Sequence, residues 1–395
     1  MKQFIGCDVH KRYSVFVTVD ESGKVSRAVR VAHDNGELEA YLSGLPAGTP
    51  VAVETTGHWY WLLDAIEKAG LEPHLAHAVA AKRMMVGPNK TDPLDAKGLA
   101  TLLLNGTLPE VWVPGGSVRD LRGLLRSRLA LRRMGTALKN RISSALARYG
   151  LPKQFKGDLF GSGPAATKCR EESIAALPAH SRFATEREWK LLQEVEEGVC
   201  ALTAEMAGSI GKLGWVRRLR TLPGVGEILG PTIYLEIGQV QRFPTAAHLA
   251  AYAGLVPRVI SSGGHTRLGR TRRECNRFLK WAFVEAAEVI VAHQESMAAR
   301  HVVRLYRRVK NNKPDRHNKA VVAVARHLAE SAWHILKRNQ DYRDPPADTG
   351  DDPTVSHGGA AAVSGFKQVS LWRVRSEIFV RAWVSAGFGL ALVRL

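Results

Sequence analysis

The sequence predicts an α/β fold for the amino-terminal part of the chain and a mostly helical fold for the rest. In residues 1–115, short apolar or alternating segments typical of strands come first and then alternate with helical patterns, which indicates a mixed sheet packed against helices. Beyond residue 116, apolar residues recur three and four positions apart, the spacing of one helix face. With 395 residues, the chain is long enough for two or three domains, each with its own core.

The amino-terminal part is expected to contain both strands and helices. Strands are expected over residues 4–9, 13–20, 26–32, 51–53 and 73–76. Helices are expected over about residues 38–45, 58–69, 79–85 and 92–105. Asn35 is expected to cap the first of these helices, and Gly70 suits the end of the second.

The second part is expected to begin with a basic helix, because residues 116–150 carry nine Lys and Arg against one Asp. Residues 157–179 are rich in Gly, Pro and Ala and predict a loop or a poorly ordered segment. At 189–213, eight apolar residues spaced by three and four predict either a coiled coil, within one chain or between chains, or a plain amphipathic core helix. Residues 219–336 are again mostly helical in pattern, and residues 339–366 have the composition of a linker.

Charge is distributed unevenly along the chain. The whole chain has 56 Lys and Arg against 37 Asp and Glu, a net charge of +19. Residues 1–115 are nearly neutral, with 11 basic and 13 acidic residues, whereas residues 116–395 have 45 basic and 24 acidic residues. This excess predicts an anionic partner for the second part, and nucleic acid is the usual one.

Other features of composition exclude several classes of protein. Charged residues make up 24% and hydrophobic residues 45% of the chain, which argues against a disordered or collagen-like protein. The four cysteines form no CxxC pair, so a zinc ribbon or a disulfide framework is not expected. Asp8 and His10 interrupt any signal peptide, and the apolar run at 382–393 is shorter than the roughly twenty residues of a spanning helix. We therefore expect a soluble, cytoplasmic protein with no membrane segment.

Four carboxylates in the amino-terminal part are candidates for one metal site. Asp8 and Glu54 each end an apolar strand, and Asp92 and Asp95 lie three residues apart on one face of a helix that has Pro93 in its first turn. Oxygen ligands of this kind suit Mg²⁺ or Mn²⁺, which support phosphodiester chemistry. Taken singly, each carboxylate is more simply explained as a turn former, a solvated strand end or a helix cap. Their order along the chain favours a shared site.

Two motifs in the second part have the composition of phosphate-binding segments. In LPGVGEILGPTI at 222–233, glycines precede a helix start, as in a helix-hairpin-helix element, although an ordinary tight turn explains them equally well. In ISSGGHTRLGRTRR at 260–273, arginines follow a serine pair and two glycines, and a flexible turn is the simpler explanation from the residues alone. The candidate nucleic-acid-binding residues are Arg122, Arg126, Arg133, Gly224, Gly226, Arg267, Arg270, Arg272 and Arg273.

Several of these motifs resemble those of one protein family. GCDVHK at 6–11, VETTG at 53–57 and NKTDPLDAKGLA at 89–100 are similar to the amino-terminal motifs of the DEDD-type insertion-sequence transposases, the one-ten family with a RuvC-like domain. LPGVGEILGPTI and YAGLVPRVISSGGHTRLG at 252–269 continue the resemblance, which covers roughly residues 3–338. It implies a ribonuclease-H-like fold for the first part, with Asp8, Glu54, Asp92 and Asp95 as ligands of a divalent metal.

The resemblance also implies a reaction and its partners. It implies a recombinase that moves a mobile element by metal-dependent cleavage and rejoining of DNA strands, through a serine that becomes joined to DNA. By position this serine is Ser261 or Ser262, and we favour Ser262, which directly precedes the glycines. The implied partners are donor and target DNA and a structured non-coding bridge RNA that pairs with both. A homo-oligomer, a dimer or tetramer, is also expected, with the apolar stripe at 189–213 as the candidate interface.

The resulting domain plan has four parts. They are a RuvC-like catalytic domain at 1–115, a basic helical and coiled-coil region at 116–215, a carboxy-terminal transposase domain with the candidate serine at 216–340, and a linker and tail at 341–395. Two alternatives stay open: a RuvC-like structure-specific metal endonuclease, in which water attacks and the serine is idle, and a catalytically inert nucleic-acid-binding protein.

Overall fold

The fold is that of a computed structural model of the chain. The structure describes residues 2–55, 57, 59–85, 91–152, 157–262, 265–271 and 274–345. The chain forms two compact units, which divide between Gly115 and Gly116. Within the described residues, no helix is both long enough and apolar enough to span a lipid bilayer.

The first unit is built on a five-stranded mixed sheet. Its strands are β1 (Gln3–Val9), β2 (Tyr13–Asp20), β3 (Val29–Ala32), β4 (Pro50–Glu54) and β5 (Glu72–Ala76). Its helices are α1 (Glu37–Ser43), α2 (Trp59–Lys68), α3 (Ala78–Met84) and α4 (Asp92–Leu104). The sheet order is β3-β2-β1-β4-β5, with antiparallel pairing among the first three strands and parallel pairing of β1 with β4 and of β4 with β5. The prediction of an α/β fold with a mixed sheet is confirmed.

Helices cover both faces of this sheet. One face packs on α1 and α2, and its buried strand residues are Ile5, Cys7, Val9, Phe16, Val31, Val51, Val53 and Leu75. The opposite face packs on α4, where Leu99 shares a core with Ala52, and Ala96 shares one with Val15. Because side chains alternate along a strand, Asp8, which lies between the buried Cys7 and Val9, belongs to the face that α4 covers.

Gly6 on β1 allows α4 to approach the sheet unusually closely. A Cβ atom at Gly6 would lie 1.8 Å from the carbonyl oxygen of Ala96 and 2.7 Å from the backbone nitrogen of Ala100. Both obstacles are backbone atoms of α4, so no side-chain rotation would make room. Glycine at this position therefore sets how near the first turn of α4 comes to the end of β1.

Among its described residues, the second unit is helical apart from one β-hairpin. Its helices are α5 (Gly116–Ala147), α6 (Pro164–Ala175), α7 (Ala179–Ser209), α8 (Gly214–Leu219), α9 (Leu229–Ile237), α10 (Ala246–Tyr252), α11 (Arg277–Ala292), α12 (His301–Lys310) and α13 (His317–Arg338). The hairpin consists of β6 (Pro257–Ser262) and the antiparallel β7 (His265–Thr271). Helices α9 to α13 bury a common apolar core, in which Phe283 and Tyr306 are among the largest fully buried side chains.

The apolar stripe at 189–213 is buried inside the chain. The amino-terminal half of α7 packs on the carboxyl-terminal half of α5, and the end of α7 packs near the start of α5, so the two helices run antiparallel. The buried members of the stripe are Leu192, Val195, Val199, Met206 and Ile210. Because α5 covers these side chains, the stripe is the contact surface of a helix pair within one chain. The buried part of the stripe is therefore not accessible to a second copy of the chain, contrary to its expected role as an oligomer interface.

Three predictions of secondary structure are corrected. Residues 157–179 were expected to form a loop but contain α6, whose Ile174 packs with the α5–α7 pair. The helix forms because Ala is a strong helix former and Pro164 is tolerated in the first turn. Asn35 does not cap α1: it has a left-handed φ of 56°, and Gly36 occupies the cap position. The third strand begins at Val29 instead of residue 26. The predicted tail beyond residue 345 lies outside the described residues.

Candidate functional site

The candidate site lies where β1 and β4 end, on the sheet face that α4 covers. These strands are parallel neighbours, and Cys7 lies opposite Val53 in their register. Asp8 and Glu54 are the next residues of the two strands, so they share one edge and one face of the sheet. Asp92 begins α4, and Asp95 lies one turn further along the same helix.

His10 brings two of these carboxylates together. Its Nε2 atom lies 3.3 Å from Oδ2 of Asp8 and 3.0 Å from Oδ2 of Asp92. The Nε2 atom is buried between these two carboxylate oxygens, although the rest of the ring is partly exposed. One ligand atom from each of the three residues lies within 4.8 Å of the others.

Tyr13 at the start of β2 orients this group. Its hydroxyl donates a hydrogen bond of 3.2 Å to Oδ2 of Asp92, and its ring stacks on His10 with 4.6 Å between the ring centroids. The guanidinium of Arg30 lies 3.8 Å from the centroid of the Tyr13 ring. Tyr13 therefore contacts the imidazole and the guanidinium through its ring and Asp92 through its hydroxyl.

The surroundings of Asp8 disfavour its charged form. Burial raises the pKa of this carboxyl group, the nearby His10 opposes the rise, and the negative charges of Asp92 and Asp95 add to it. Asp95 lies in the first turn of α4, as Asp92 does. A crowded, partly buried set of carboxylates is the situation in which a bound cation is most stabilising, because it neutralises the mutual repulsion.

These residues fit a divalent cation. The buried Nε2 of His10 faces two carboxylate oxygens at distances at which the three groups could share an ion. The carboxylates suit Mg²⁺ or Mn²⁺, and imidazole is a common additional ligand. Asp8, His10 and Asp92 are the residues that could hold the ion, and Asp95 and Glu54 border them.

Sequence reasoning chose Asp8, Glu54, Asp92 and Asp95 and missed His10. The structure brings Asp8 and Asp92 together directly, and Asp95 lies in the first turn of α4 beside Asp92. Glu54 shares their strand edge through the register of β4 with β1. The signal for His10 was present in GCDVHK, where Asp and His are two residues apart, but a single histidine beside a strand end carries little weight without the fold.

The candidate serines lie in the β6–β7 hairpin of the second unit. Ser262 is the last residue of β6 and pairs with His265, and Ser261 pairs with Thr266. Both serines are exposed. Adjacent residues of a strand point to opposite faces, so only one of the two serines can face a given phosphate. The glycines at 263–264 lie outside the described residues.

The predicted basic residues fall into two groups. Arg267 and Arg270 are exposed on β7, where they can meet a polyanion, and Arg272 and Arg273 lie outside the described residues. By contrast, the arginines chosen on α5 are drawn inward. Arg122 is buried and Arg126 is half-buried, and both bind the carboxylate of Glu236 with N–O distances of 2.6 and 3.0 Å. Arg133 is also partly buried, and burial lowers its pKa. This placement favours a structural role for Arg122.

The two predicted glycines also differ. Gly224 has a φ of +75°, and a Cβ atom there would lie 2.2 Å from the carbonyl oxygen of Ala286 on α11. Its requirement for glycine is therefore explained by packing. Gly226 borders open space, so its backbone remains accessible.

Comparison with known proteins shows the family of this chain. Residues 5–151 match the DEDD transposase family model of IS110 elements, and residues 216–302 match the transposase family described as IS116/IS110/IS902. The two matches cover the unit with the acidic site and the segment with the serine hairpin. The chain belongs to the IS110 family of transposases. As an insertion-sequence transposase, it is a DNA-processing enzyme, and DNA is its substrate.

Individual relatives agree with this assignment. The transposase is 25% identical over 349 residues to the transposase for insertion sequence element IS1111A of Coxiella burnetii, covering 86% of this chain and 91% of the relative. It is 26% identical over 301 residues to a probable family 20 transposase of Pseudomonas aeruginosa, covering 74% of this chain and 85% of the relative. The predicted resemblance to DEDD-type insertion-sequence transposases is thus confirmed.

Proposed function

We propose that this transposase cuts and rejoins DNA strands through a covalent serine–DNA intermediate, in a reaction that requires a divalent cation. The observation that carries the proposal is the convergence of Asp8, His10 and Asp92 at one strand edge, with the imidazole Nε2 lying 3.3 and 3.0 Å from two carboxylate oxygens. The sheet order and strand directions of the first unit are those expected of a ribonuclease-H-like domain, which supports the same interpretation.

Each residue of the acidic centre has a distinct role in this proposal. Asp8, on a strand, and Asp92, at a helix start, are held by separate elements and supply carboxylate oxygens. His10 supplies a nitrogen between them, and Tyr13 fixes the carboxylate of Asp92. Asp95 and Glu54 add negative charge at the border. A divalent cation bound here would supply Lewis-acid stabilisation of the negative charge on a DNA phosphate.

Ser262 is the proposed nucleophile of the hairpin. Its Oγ forms a bond to a backbone phosphorus while one phosphorus–sugar-oxygen bond breaks, and the proton lost by Ser262 ends on the released sugar hydroxyl. One phosphodiester is exchanged for another, so the bond energy is retained for rejoining the strand. Exposed Arg267 and Arg270 on the neighbouring strand, together with Arg272 and Arg273, are proposed to neutralise phosphate charge.

Further partners are proposed from the family resemblance and the charge distribution. We propose that a structured non-coding RNA guides the enzyme to donor and target DNA, and the 45 basic against 24 acidic residues in 116–395 are consistent with so large a polyanion. We also propose a homo-oligomer in the cytoplasm, assembled through a surface other than the stripe at 189–213, since α5 covers that stripe. We also propose that the domains of the chain divide at residues 115, 215 and 340.

A denaturing gel tests this function. The full-length protein is incubated with end-labelled DNA of its own element and Mg²⁺, and wild type should give a slow-migrating protein–DNA species. Ser262→Ala should abolish this species, whereas Ser261→Ala, its neighbour on the opposite strand face, should retain it. Asp8→Asn, or chelation of Mg²⁺, should abolish both cleavage and the covalent species.

The same gel separates the alternatives. A RuvC-like endonuclease that uses water would cleave the DNA with Ser262→Ala as well as with wild type and would form no covalent species. An inert binding protein would shift DNA in a native gel with and without Mg²⁺ and would cleave nothing. Either result would contradict the serine proposal.

A further inference from the structure

The two ends of the serine hairpin segment meet at one residue pair. Tyr252 ends α10, five residues before β6 begins, and Asn276 precedes α11, five residues after β7 ends. The backbone N–H of Asn276 donates to the carbonyl oxygen of Tyr252 at 2.9 Å, and the side-chain amide of Asn276 donates to the Tyr252 hydroxyl at 3.2 Å. These bonds close the loop of chain that carries the hairpin.

Asn276 uses its remaining groups to fix this closure to two helices. Its Oδ1 accepts a hydrogen bond of 3.0 Å from the backbone N–H of Leu279 and so caps α11. Its Nδ2 also donates to Oε2 of Glu236 on α9, at 2.8 Å. The amide can have only this orientation, because a flip would place its carbonyl oxygen against the carboxylate.

Glu236 is a fully buried carboxylate held from two sides. Its side chain is 0% exposed, and a buried charge of this kind is tolerated only when it is paired and hydrogen-bonded. Arg122 and Arg126 on α5 bind it with charge-assisted hydrogen bonds, of which the two from Arg126 to Oε1 measure 3.0 and 3.2 Å. The hairpin base is thereby connected through Asn276 and Glu236 to the long basic helix α5.

The first strand of the hairpin is exposed along most of its length. All residues of β6 after Pro257 are exposed, including the apolar Val259, which is 65% exposed. An isolated two-stranded hairpin is only marginally stable in water, so contacts at its base help to fix its orientation. Besides the Tyr252–Asn276 closure, Lys280 on α11 donates a hydrogen bond of 2.9 Å to Oγ1 of Thr271 at the end of β7.

We propose that Asn276 and Glu236 are positioning residues: they clamp the base of the β6–β7 hairpin and so aim Ser262 at the DNA phosphate. The inference rests on the proposed serine chemistry for its catalytic consequence, but the clamp itself can be observed without catalysis. Neither residue touches the reacting atoms; both act through the backbone of the hairpin.

Two mild variants release the clamp without opening the core. Asn276→Ser keeps a side chain that caps a helix well and loses the amide that bridges Tyr252 and Glu236. Tyr252→Phe removes only the hydroxyl. Tyr234→Phe is the matched control, because it removes a hydroxyl from α9 two residues before Glu236 that takes no part in the bonds described above.

The experiment combines two measurements on the full-length protein. Amide hydrogen exchange is followed in residues 257–271 and, for reference, in α13; the rate of covalent protein–DNA formation is measured at saturating DNA, with the dissociation constant for DNA determined separately. We expect the amides of the Asn276→Ser variant to exchange faster in the hairpin only. We also expect this variant to form the covalent species about tenfold to a hundredfold more slowly at unchanged DNA affinity, because moving a reacting group by about 1 Å can lower a reaction rate by that factor. In the Asn276→Ser background, Tyr252→Phe should add no further loss, because both changes break the same clamp.

The outcomes separate this proposal from the serine proposal. If hairpin exchange is unchanged, or rises equally in α13, the clamp is refuted, because the variant then has no effect or a global one. A rate that falls only in proportion to the fraction of folded protein refutes it as well. If wild type forms no covalent species, the serine proposal fails, and the clamp is then judged by hydrogen exchange alone.

Discussion

Replacing Gly6 with alanine should damage the acidic centre from a distance. The added methyl group would point from β1 into the backbone of α4, at 1.8 Å from the Ala96 carbonyl oxygen. An ordinary carbon contact needs about 3.4 Å, so α4 must retreat by roughly 1.5 Å or the strand must bend. Asp92 lies in the first turn of the same helix and would move away from Asp8 and His10.

Gly6→Ala should be strongly destabilising, because the added methyl group would meet backbone atoms of α4. Overpacking of a core costs about 1–3 kcal/mol, and we expect Gly6→Ala to lie at or above the upper end, because no side chain can rotate away. For a unit of this size, about 3 kcal/mol lowers the melting temperature by on the order of 10 °C or more. Misplacement of the carboxylates by about 1 Å should also slow DNA cleavage by roughly a hundredfold.

Calorimetry and the cleavage gel together measure this prediction. Gly98→Ala is the matched control: it lies on α4, but its Cβ atom would meet the flexible end of Met85, with the sulfur at 2.8 Å, and alanine is the better helix former. The control should melt within a few degrees of wild type and cleave normally. A Gly6→Ala protein with the stability and cleavage rate of wild type would refute the idea that Gly6 sets the distance between α4 and the sheet.

Three further predictions concern single side chains. His10→Ala should fold normally but bind Mn²⁺ about tenfold or more weakly in titration calorimetry, and unchanged affinity would remove His10 from the site. Arg122→Ala should lower the free energy of unfolding by about 3–5 kcal/mol, because it removes a partner of the buried carboxylate of Glu236. Arg267→Ala should leave the free energy of unfolding within about 0.5 kcal/mol of wild type and should instead lower DNA affinity and its dependence on salt. The reverse pattern would contradict a structural role for Arg122 and a DNA-binding role for Arg267. Burial raises the pKa of Cys7 to about 12, so its thiol should resist alkylation at pH 8, whereas the exposed Cys200 should react. Mass spectrometry measures the labelling of each cysteine, and equal labelling would contradict the burial of Cys7. Because the folded state holds this proton to higher pH than the unfolded chain, the contribution of Cys7 to stability should be lost as the pH rises above 9.

Much of the first unit could be predicted from local pattern. Strand β2 was predicted with its observed ends, because alternating valines bounded by turn residues are typical of a strand. The parallel pairing of β1 with β4 explains why Asp8 and Glu54, 46 positions apart in the sequence, reach one edge. Pattern alone could not give this pairing, since register between distant strands depends on the whole fold.

The second unit shows where sequence reasoning fails. Arg122 and Arg126 counted as surface charge in the sequence, because nothing local indicates that Glu236, more than a hundred positions later, is buried beside them. The eight-residue stripe on α7 was equally compatible with a partner helix from the same chain or from another copy. Only the tertiary contacts with α5 decide between them.

The most direct test of the central claim is to locate the cation. Crystals of the full-length protein grown with Mn²⁺ would be measured near the manganese absorption edge, so that the anomalous difference map shows the ion alone. We predict a peak in contact with carboxylate oxygens of Asp8 and Asp92 and with Nε2 of His10, and no such peak in Asp8→Asn. A map from wild type in which Mn²⁺ is bound elsewhere, or is absent from this edge of the sheet, would contradict it.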